Sequence, residues 1–516
     1  MSLKKLVLVG GLILYVFSCI QFKELPSDPT TPTGLFRTLL RQNLLNEQNE
    51  QTEDNINPNP ENENTNPNSN TDNFNNSSNN NNSNNNDNNN NTYTEPRGEI
   101  DTSFGTLGKV IIDFDNNNDK AYAIAIQPNG KILLAGTAIV FISSDFALVR
   151  LNPDGSLDTS FGPSLNGKVT TDVSGAGSTE EGRAMVLQPD GKILVAGLSD
   201  QDSAVVRYHP DGNIDTQFGT NGIARSNYSM YDEAFSMAID SAGRIILGGK
   251  ASYIGRGYDF ALFRFLPNGN LDTSFNGNGY LIEDFGSSDY IRSVKIQQPG
   301  DKILVVGDSE VNSLPNYEFF VLRYNASGIP DTEFDSDGIS YVDINFVDDA
   351  YDIAIQPNNQ IIVVGNTTEG VGPGRDVGII RLNSDGSLDT SFGNGGEVII
   401  DMDETNSNIY GDYDKDFAMK VALQPNGKII VVGYTEKIFN NRFNEKIFII
   451  RLNPDGSLDN TFGNNGKLVI DLIPELQDYE EEVINSVAIL PNGNILVAGY
   501  VLTSSSGYDF FVMRIK

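Results

Sequence analysis

The sequence predicts an all-β protein whose C-terminal four-fifths form a seven-bladed β-propeller of four-stranded antiparallel blades. Three observations support this: a repeated segment, four short β-rich runs in each copy, and no helical periodicity. The repeat is marked by Asp-Thr-Ser-Phe-Gly and its variants, which begin at Asp101, Asp158, Asp215, Asp272, Asp331, Asp389 and Asp459. Their spacing of 57, 57, 57, 59, 58 and 70 residues is typical of an array in which each unit buries its apolar face against the next.

The first unit shows the four strand signals in order, at residues 108–113, 122–127, 131–136 and 146–151. Pro-Asn-Gly and Pro-Asp-Gly segments punctuate these runs and are typical of hairpin turns. No run combines a 3.6-residue apolar period with helix caps. Four antiparallel strands per unit, repeated seven times, favour the blades of a propeller.

The two ends of the array are expected to meet. By analogy with WD-type propellers, each sequence repeat begins with the outermost strand of the preceding blade. Residues 108–114 should therefore form the outer strand of the last blade and pair with residues 510–515. Such a seam removes two open sheet edges that would otherwise pair with other chains. An open β-solenoid is the rival architecture, since some repeat arrays do not close.

Two segments of the repeat resemble a known bacterial family. Residues 126–133 (IQPNGKIL) and 151–162 (LNPDGSLDTSFG) are similar to the bacterial delta-60 repeat. The resemblance extends over roughly residues 98 to 516 in seven copies, and it implies a propeller-like domain, placed here at residues 95–516. The family is one of mostly unassigned function, so the resemblance implies no catalytic residue.

Residues 1–18 are typical of a lipoprotein signal peptide. Lys4 and Lys5 supply a positive region, and the apolar run at residues 6–17 is too short to span a bilayer comfortably. The segment VFSC at residues 16–19 resembles a bacterial lipobox, which implies lipidation at Cys19 after cleavage. A plain cleaved secretory peptide and an uncleaved anchor are the alternatives. The expected location is the bacterial cell envelope, at the outer membrane.

Residues 19–94 are expected to be a disordered tether. Between residues 46 and 91 the segment is dominated by Asn and contains one aromatic residue, Phe74. Such a segment buries too little apolar surface to offset its ordering entropy. As a flexible chain it would span on the order of 50 Å, enough to separate the propeller from a membrane. The alternative is a low-complexity insertion without a spacing role.

Two residue types recur in all seven units and are interpreted as architectural. An arginine ends the third strand at Arg150, Arg207, Arg264, Arg323, Arg381, Arg451 and Arg514. A phenylalanine follows the marker aspartate at Phe104, Phe161, Phe218, Phe275, Phe334, Phe392 and Phe462. We expect the phenylalanines to be apolar wedges in the core or between blades, and the arginines to pair with carboxylates such as the marker aspartate.

A third sevenfold position is acidic, and we call its members the ring acids. They lie just before each innermost strand and are Asp119, Glu180, Asp232, Asp289, Asp348, Asp416 and Glu482. A closed propeller would place them in a ring near one mouth of the central channel. One interpretation is that each caps its own loop by accepting backbone N–H bonds. The other is a site for a cation, with Ca²⁺ the possible cofactor, or for a basic ligand.

Two sets of loops vary in length between units, whereas the Pro-Asp-Gly turns do not. They precede the first strand and join the second to the third, as at residues 403–416 and 435–446 of the sixth unit. Because rigid scaffolds usually bind ligands on variable loops, we expect any ligand at this rim. Its aromatic and cationic candidates are Tyr410, Tyr413, Phe439, Arg442 and Phe443. Relaxed drift of loop length is the alternative explanation.

Composition restricts the function. The net charge of −34 argues against nucleic acid, because its phosphates would be repelled. Cys19 is the only cysteine and His209 the only histidine. His209 takes a slot that other units fill with Asn, which indicates a turn residue. Nucleophilic Ser/His or Cys/His constellations and histidine zinc sites are therefore excluded.

The sequence as a whole predicts an envelope lipoprotein, monomeric and not an enzyme. It would be anchored to the membrane by lipid, and its propeller would bind or scaffold an unknown protein or glycan through variable rim loops. The alternative is a carboxylate-dependent, cation-assisted hydrolase acting on glycans or phosphoesters, because Asp and Glu crowd the rim.

Overall fold

The computed structural model describes residues 93–516 except 141–142, 176, 229–230, 253–256, 286–287, 310–318, 345–347, 369–373, 403–412, 440–441, 474–480 and 505. At 413–414, 437–439 and 442–444 it describes the backbone alone. The predicted signal peptide, Cys19 and the Asn-rich tether lie outside the described residues. The described residues fall in one compact unit, Asn91–Lys516. Within them, no helix has the length and apolarity that crossing a bilayer requires.

Seven antiparallel sheets of four strands form the blades of the propeller. Numbered along the chain, the first strands of blades 1 to 7 are β2 (Lys120–Ile126), β6 (Glu180–Leu187), β10 (Asp232–Ile239), β14 (Asp289–Gln297), β18 (Asp348–Ile355), β22 (Tyr413–Leu423) and β26 (Glu482–Ile489). The second strands are β3 (Ile132–Val140), β7 (Ile193–Ser199), β11 (Ile245–Ser252), β15 (Lys302–Ser309), β19 (Ile361–Thr367), β23 (Ile429–Phe439) and β27 (Ile495–Thr503). The first strands of neighbouring blades pack against one another around the central axis.

The remaining two strands of each blade lie further from the axis. The third strands are β4 (Ser143–Leu151), β8 (Asp202–Tyr208), β12 (Tyr258–Phe265), β16 (Phe319–Tyr324), β20 (Asp376–Leu382), β24 (Arg442–Leu452) and β28 (Gly507–Ile515). The outer strands are β5 (Lys168–Thr171), β9 (Ile223–Arg225), β13 (Tyr280–Glu283), β17 (Ile339–Val342), β21 (Glu397–Ile400), β25 (Lys467–Ile470) and, in blade 7, β1 (Lys109–Ile112). The predicted fold class is therefore confirmed.

The seam between the chain ends forms as predicted. Strand β1 pairs antiparallel with β28, with Lys109 opposite Met513 and Ile112 opposite Phe510. Upstream of β1, the amide of Arg97 donates to the carbonyl oxygen of Lys516 over 3.0 Å. Blade 7 thus contains strands from both ends of the described chain. This pairing closes the circle and rules out the open solenoid.

Apolar packing between blades explains why the second and third strands read as continuous apolar runs. The first seven residues of β3 are buried without interruption, as are all of β7 and β19. Each blade is covered on both faces by its neighbours, so both faces of these strands must be apolar. Val364 of blade 5 and Val431 of blade 6, for example, belong to one buried cluster.

A clamp repeats at each blade junction on the face that carries the Pro-Asp-Gly turns. In blade 3, Arg264 Nε lies 2.8 Å from Asp272 Oδ2, and the guanidinium centre lies 4.7 Å from the centroid of Phe275. The same arginine donates from Nη1 to the backbone carbonyl oxygen of Ala326 in blade 4. One side chain therefore joins its marker aspartate, its phenylalanine wedge and the next blade.

The clamp occurs seven times, which confirms the predicted roles of the repeated arginines and phenylalanines. The pairs are Arg150 with Asp158, Arg207 with Asp215, Arg264 with Asp272, Arg323 with Asp331, Arg381 with Asp389, Arg451 with Asp459, and Arg514 with Asp101. All seven phenylalanine side chains are 0% exposed. Burial alone would raise the pKa of Asp272, but hydrogen bonds from Ser274 and the charge of Arg264 hold it below its usual value.

The turn glycines of the clamp are required by close approach between blades. Gly269 has a φ of +89°, and a Cβ at this position would lie 2.6 Å from the backbone nitrogen of Gly219 in the preceding blade. That nitrogen donates to the carbonyl oxygen of Asn268 over 2.8 Å.

The turn containing His209 has the same form, since the amide of Gly212 donates to the His209 carbonyl. The prediction that His209 is a turn residue is confirmed.

Candidate functional site at the mouth of the central axis

The ring acids are enclosed by the loops that precede them. All seven are 0% or 1% exposed. Asp119 accepts backbone N–H bonds from Phe114 (2.5 Å) and Ile139 (3.3 Å). The other backbone donors are Val173 to Glu180, Ser203 to Asp232, Phe285 to Asp289, Ile344 to Asp348, Met402 to Asp416, and Leu472 to Glu482. The loop-capping interpretation is therefore confirmed for every member, and none of these carboxylates is exposed at the mouth.

Enclosure changes the acidity of these groups. Burial raises the pKa of Asp119, Asp289 and Asp416 to about 7 and that of Asp232 to about 6, although the capping hydrogen bonds oppose the shift. Burial likewise raises the pKa of Glu180. A neighbouring carboxylate adds to the shift at each of these five positions. Burial thus disfavours the charged form at these five ring acids.

The predicted rim-loop candidates lie at or beyond the limit of the described residues. Tyr410 lies outside them, and of Tyr413, Phe439, Arg442 and Phe443 only the backbone is described. Residues 435–446 were expected to be a loop, which is wrong. Strands β23 and β24 continue as a paired hairpin from Thr435 opposite Lys446 to Phe439 opposite Arg442. The extra length between the second and third strands of blade 6 is therefore an extension of β-structure.

Each first strand carries a β-bulge three residues after its ring acid. The register shifts there in all seven blades, and the unpaired residues are Tyr122, Arg183, Phe235, Arg292, Tyr351, Met419 and Asn485. The positions before the bulge hold the ring acid and a buried small or branched residue, such as Ala121 and Ala350. A bulge redirects the side chain that it carries. The fixed positions thus support the fold, whereas the bulge residue differs from blade to blade.

Five consecutive bulge residues form a ladder of alternating aromatic rings and arginines around the axis. The guanidinium of Arg183 lies 4.5 Å from the ring centroid of Tyr122 and 5.8 Å from that of Phe235. The guanidinium of Arg292 lies 5.6 Å from Phe235 and 5.8 Å from Tyr351. These distances are within the range of cation–π attraction. We call the five residues from blades 1 to 5 the axial ladder.

Carboxylates hold the arginines of the axial ladder in place. Arg183 forms an ion pair with Glu181 and lies 3.4 Å from Glu233. Arg292 donates to both oxygens of Asp308, over 2.6 and 3.1 Å. All five ladder side chains are partly exposed. The mouth therefore presents flat apolar rings beside fixed, neutralised charges, which is a preorganised surface for recognition.

Blades 6 and 7, together with Lys120 of blade 1, complete the mouth with a different chemistry. Lys120 lies 4.3 Å from the ring of Tyr500 and 4.2 Å from that of Tyr508. The hydroxyl of Tyr508 donates to Glu481. Burial, together with the charges of Glu481 and a further glutamate, raises the pKa of Glu445 to about 8. This sector therefore holds a carboxyl group whose pKa lies well above the usual value for glutamate.

Sequence reasoning missed the axial ladder, although a signal was present. Its residues stand at a constant offset of three from the ring acids, where aromatic and arginine side chains alternate over five units. The variation at this position, between positions that hardly change, is the pattern of a binding surface on a repeated scaffold.

Comparison with protein families supports the propeller architecture. A family described as a domain of unknown function (DUF5122) beta-propeller matches residues 127–161, 188–218, 243–275, 298–334, 356–392 and 424–462. No curated protein sequence matches the chain.

Solved structures with a similar fold include two lyases and a ribosomal-protein binder. Polysaccharide lyase Uly1 is 11% identical, with 80% of this chain and 92% of that chain covered and a TM-score of 0.43. Sqt1 from Chaetomium thermophilum, also solved bound to the N-terminus of ribosomal protein L10, is 12% identical, with 79% and 97% covered and a TM-score of 0.42. Virginiamycin B lyase from Staphylococcus aureus is 9% identical, with 78% and 98% covered and a TM-score of 0.39. At these identities the likeness concerns the fold alone.

Proposed function

We propose that this β-propeller repeat protein is a binding module whose ligand docks on the axial ladder at the mouth of the central axis. The observation that carries the proposal is the contrast between neighbouring positions of the first strands. The capping acids recur because the fold needs them seven times. The bulge residues alternate between rings and arginines over five blades, which neither loop capping nor blade packing requires.

The chemistry of the axial ladder favours a peptide or a glycan. The partly exposed rings of Tyr122, Phe235 and Tyr351 would contact apolar faces of a ligand. Arg183 and Arg292 would offer hydrogen-bond donors beside them. Peptides and glycans both present apolar faces next to hydrogen-bonding groups. The net charge of −34 disfavours nucleic acid.

The N-terminal sequence supports placing this module at the bacterial envelope, anchored by lipid on Cys19. In that arrangement the Asn-rich segment separates the propeller from the membrane. Mass spectrometry of the mature protein tests the anchor. A mature N-terminus that is unmodified, or that begins at another residue, would contradict it.

Replacing Phe235 by alanine should weaken ligand binding by about tenfold or more, because it removes the ring that both ladder arginines contact. The full chain is screened against panels of glycans and peptides, and the affinity for any ligand is then compared between variants. Met419→Ala is the matched control, since Met419 occupies the equivalent bulge of blade 6 outside the ladder. Equal affinities for the two variants would place binding elsewhere and overturn the proposal.

Glu445 favours a second candidate function, the carboxylate-dependent hydrolase. A carboxyl group whose pKa is raised by burial and by a neighbouring glutamate is the kind of group that general acid catalysis uses. The same glycan panel is therefore analysed for released fragments. Release that Glu445→Gln abolishes would replace the binding function by hydrolysis, whereas intact glycans would leave recognition as the function.

A further inference from the structure

Three aspartates from the two ends of the propeller sequence meet at the seam, Asp113 and Asp119 from one end and Asp509 from the other. Asp113 follows the outer strand β1, Asp119 precedes the first strand of blade 1, and Asp509 belongs to β28. One carboxylate oxygen from each lies within 4.8 Å of the others. The cluster lies beside the capping loop of Asp119 and contains none of the five residues of the axial ladder.

The spacing of these oxygens matches a shared calcium ion. Ca²⁺ binds carboxylate oxygens at about 2.3–2.6 Å, so two of its ligands lie at most about 5 Å apart. Mg²⁺ needs shorter bonds and a stricter octahedral arrangement. Three anionic groups this close together would otherwise repel one another.

Asp509 supplies an independent sign of a missing partner. Its side chain is 2% exposed, and its Oδ2 accepts hydrogen bonds from Thr503 (2.7 Å) and Ser506 (2.6 Å). Its Oδ1 is buried without any hydrogen-bond donor. Within the described part of the chain, no Lys or Arg forms an ion pair with Asp113, Asp119 or Asp509. A buried carboxylate oxygen with no donor is costly unless a cation binds it.

The same arrangement recurs at two other blade junctions. Equivalent aspartates are within 4.8 Å of one another at Asp259, Asp284 and Asp289, and at Asp376, Asp401 and Asp416. At the junction of blades 6 and 7 the third-strand position holds Lys446, whose Nζ lies 3.4 Å from Asp471. At this junction Lys446 stands where the other clusters have their third-strand aspartate. Its ammonium group thus provides a positive charge at the position where we place the ion in those clusters.

We propose that Asp113, Asp119 and Asp509 bind a Ca²⁺ ion that bridges the two ends of the propeller, and that the two equivalent clusters bind Ca²⁺ in the same way. The ion at the seam links the segment from Asp113 to Asp119 with Asp509 of β28, and only closure of the propeller brings these two segments together. This role is separate from ligand binding at the axial ladder, so either proposal can fail alone.

Counting bound calcium tests the proposal. The full chain is stripped with chelator, and bound Ca²⁺ is measured by equilibrium dialysis at about 1 mM free Ca²⁺ in physiological salt. Asp509→Asn should bind one ion fewer than the wild type, and so should Asp113→Asn, whose side chain is only partly buried and easier to replace. Asp145→Asn should bind as many ions as the wild type, because Asp145 is the equivalent third-strand aspartate at a junction whose ring acid is Glu180.

Thermal unfolding provides a second reading on the same proteins. Ca²⁺ should raise the midpoint of the wild type and of Asp145→Asn by more than that of Asp509→Asn, since binding to the folded state stabilises it. No bound Ca²⁺ in the wild type would overturn the proposal. So would unchanged counts in both seam variants, or an equal loss in Asp145→Asn, which would indicate binding to the acidic surface in general.

Discussion

Replacing Arg264 by alanine should lower the free energy of unfolding by about 3–5 kcal/mol. Arg264 is 2% exposed and its partner Asp272 is 5% exposed. In the described part of the chain no other Lys or Arg forms an ion pair with Asp272, so the variant buries an uncompensated charge. It also loses the hydrogen bond to the Ala326 carbonyl oxygen in the next blade, which weakens the junction.

Urea unfolding followed by circular dichroism measures this effect. Arg97→Ala is the control, because Arg97 is an exposed arginine and its removal should change stability by less than about 0.5 kcal/mol. Adding Asp272→Asn to the Arg264 variant should recover part of the loss, since it removes the unpaired charge. A double variant that is no more stable than Arg264→Ala would show that lost packing, not the charge, dominates.

Gly269→Ala should destabilise the propeller by about 3 kcal/mol or more, through two separate effects. A φ of +89° at Gly269 strains any residue that has a Cβ. Overlap of that Cβ with the backbone of the preceding blade adds to the strain. The contact is with the Gly219 backbone nitrogen, so no side chain can rotate away. The hydrogen bond from Gly219 to Asn268 would have to lengthen.

Gly277→Ala separates the two effects. Gly277 has a φ of +80°, but a Cβ there meets no atom within 4 Å. The Gly277→Ala variant should therefore lose only the free energy that the backbone strain costs, about 1 kcal/mol. Thermal or urea midpoints of the two variants give the difference. If both variants lose the same free energy of unfolding, the close approach between blades contributes nothing to stability, which would contradict the prediction.

The features that the sequence predicted well are those repeated seven times. Strand order and the seam followed from the repeat, and the pairing of Arg264 with Asp272 followed from two invariant positions eight residues apart. Repetition makes these features predictable because every copy must satisfy the same local packing. A residue that the packing does not require would not recur in all seven units.

The features that the sequence did not predict depend on contacts between different units. Arg183 and Tyr122 stand 61 residues apart, and only the bulges of two neighbouring strands bring them together. The sequence does not distinguish loop capping from ligand binding at Asp119. The reason is that its hydrogen-bond donors are backbone amides, which every residue type except proline has. The mostly polar sequence at residues 435–446 predicts a loop, whereas strand pairing continues through these residues in the extended hairpin of blade 6.

The composite blade also sets the order in which this protein can be made. Strand β1 leaves the ribosome first among the described strands, yet its partner β28 is the last to be synthesised. Blades 1 to 6 can assemble before β28 is available, whereas blade 7 is complete only after β28 has emerged from the ribosome. We therefore expect premature termination before β28 to leave an incomplete circle with unpaired edges, prone to self-association.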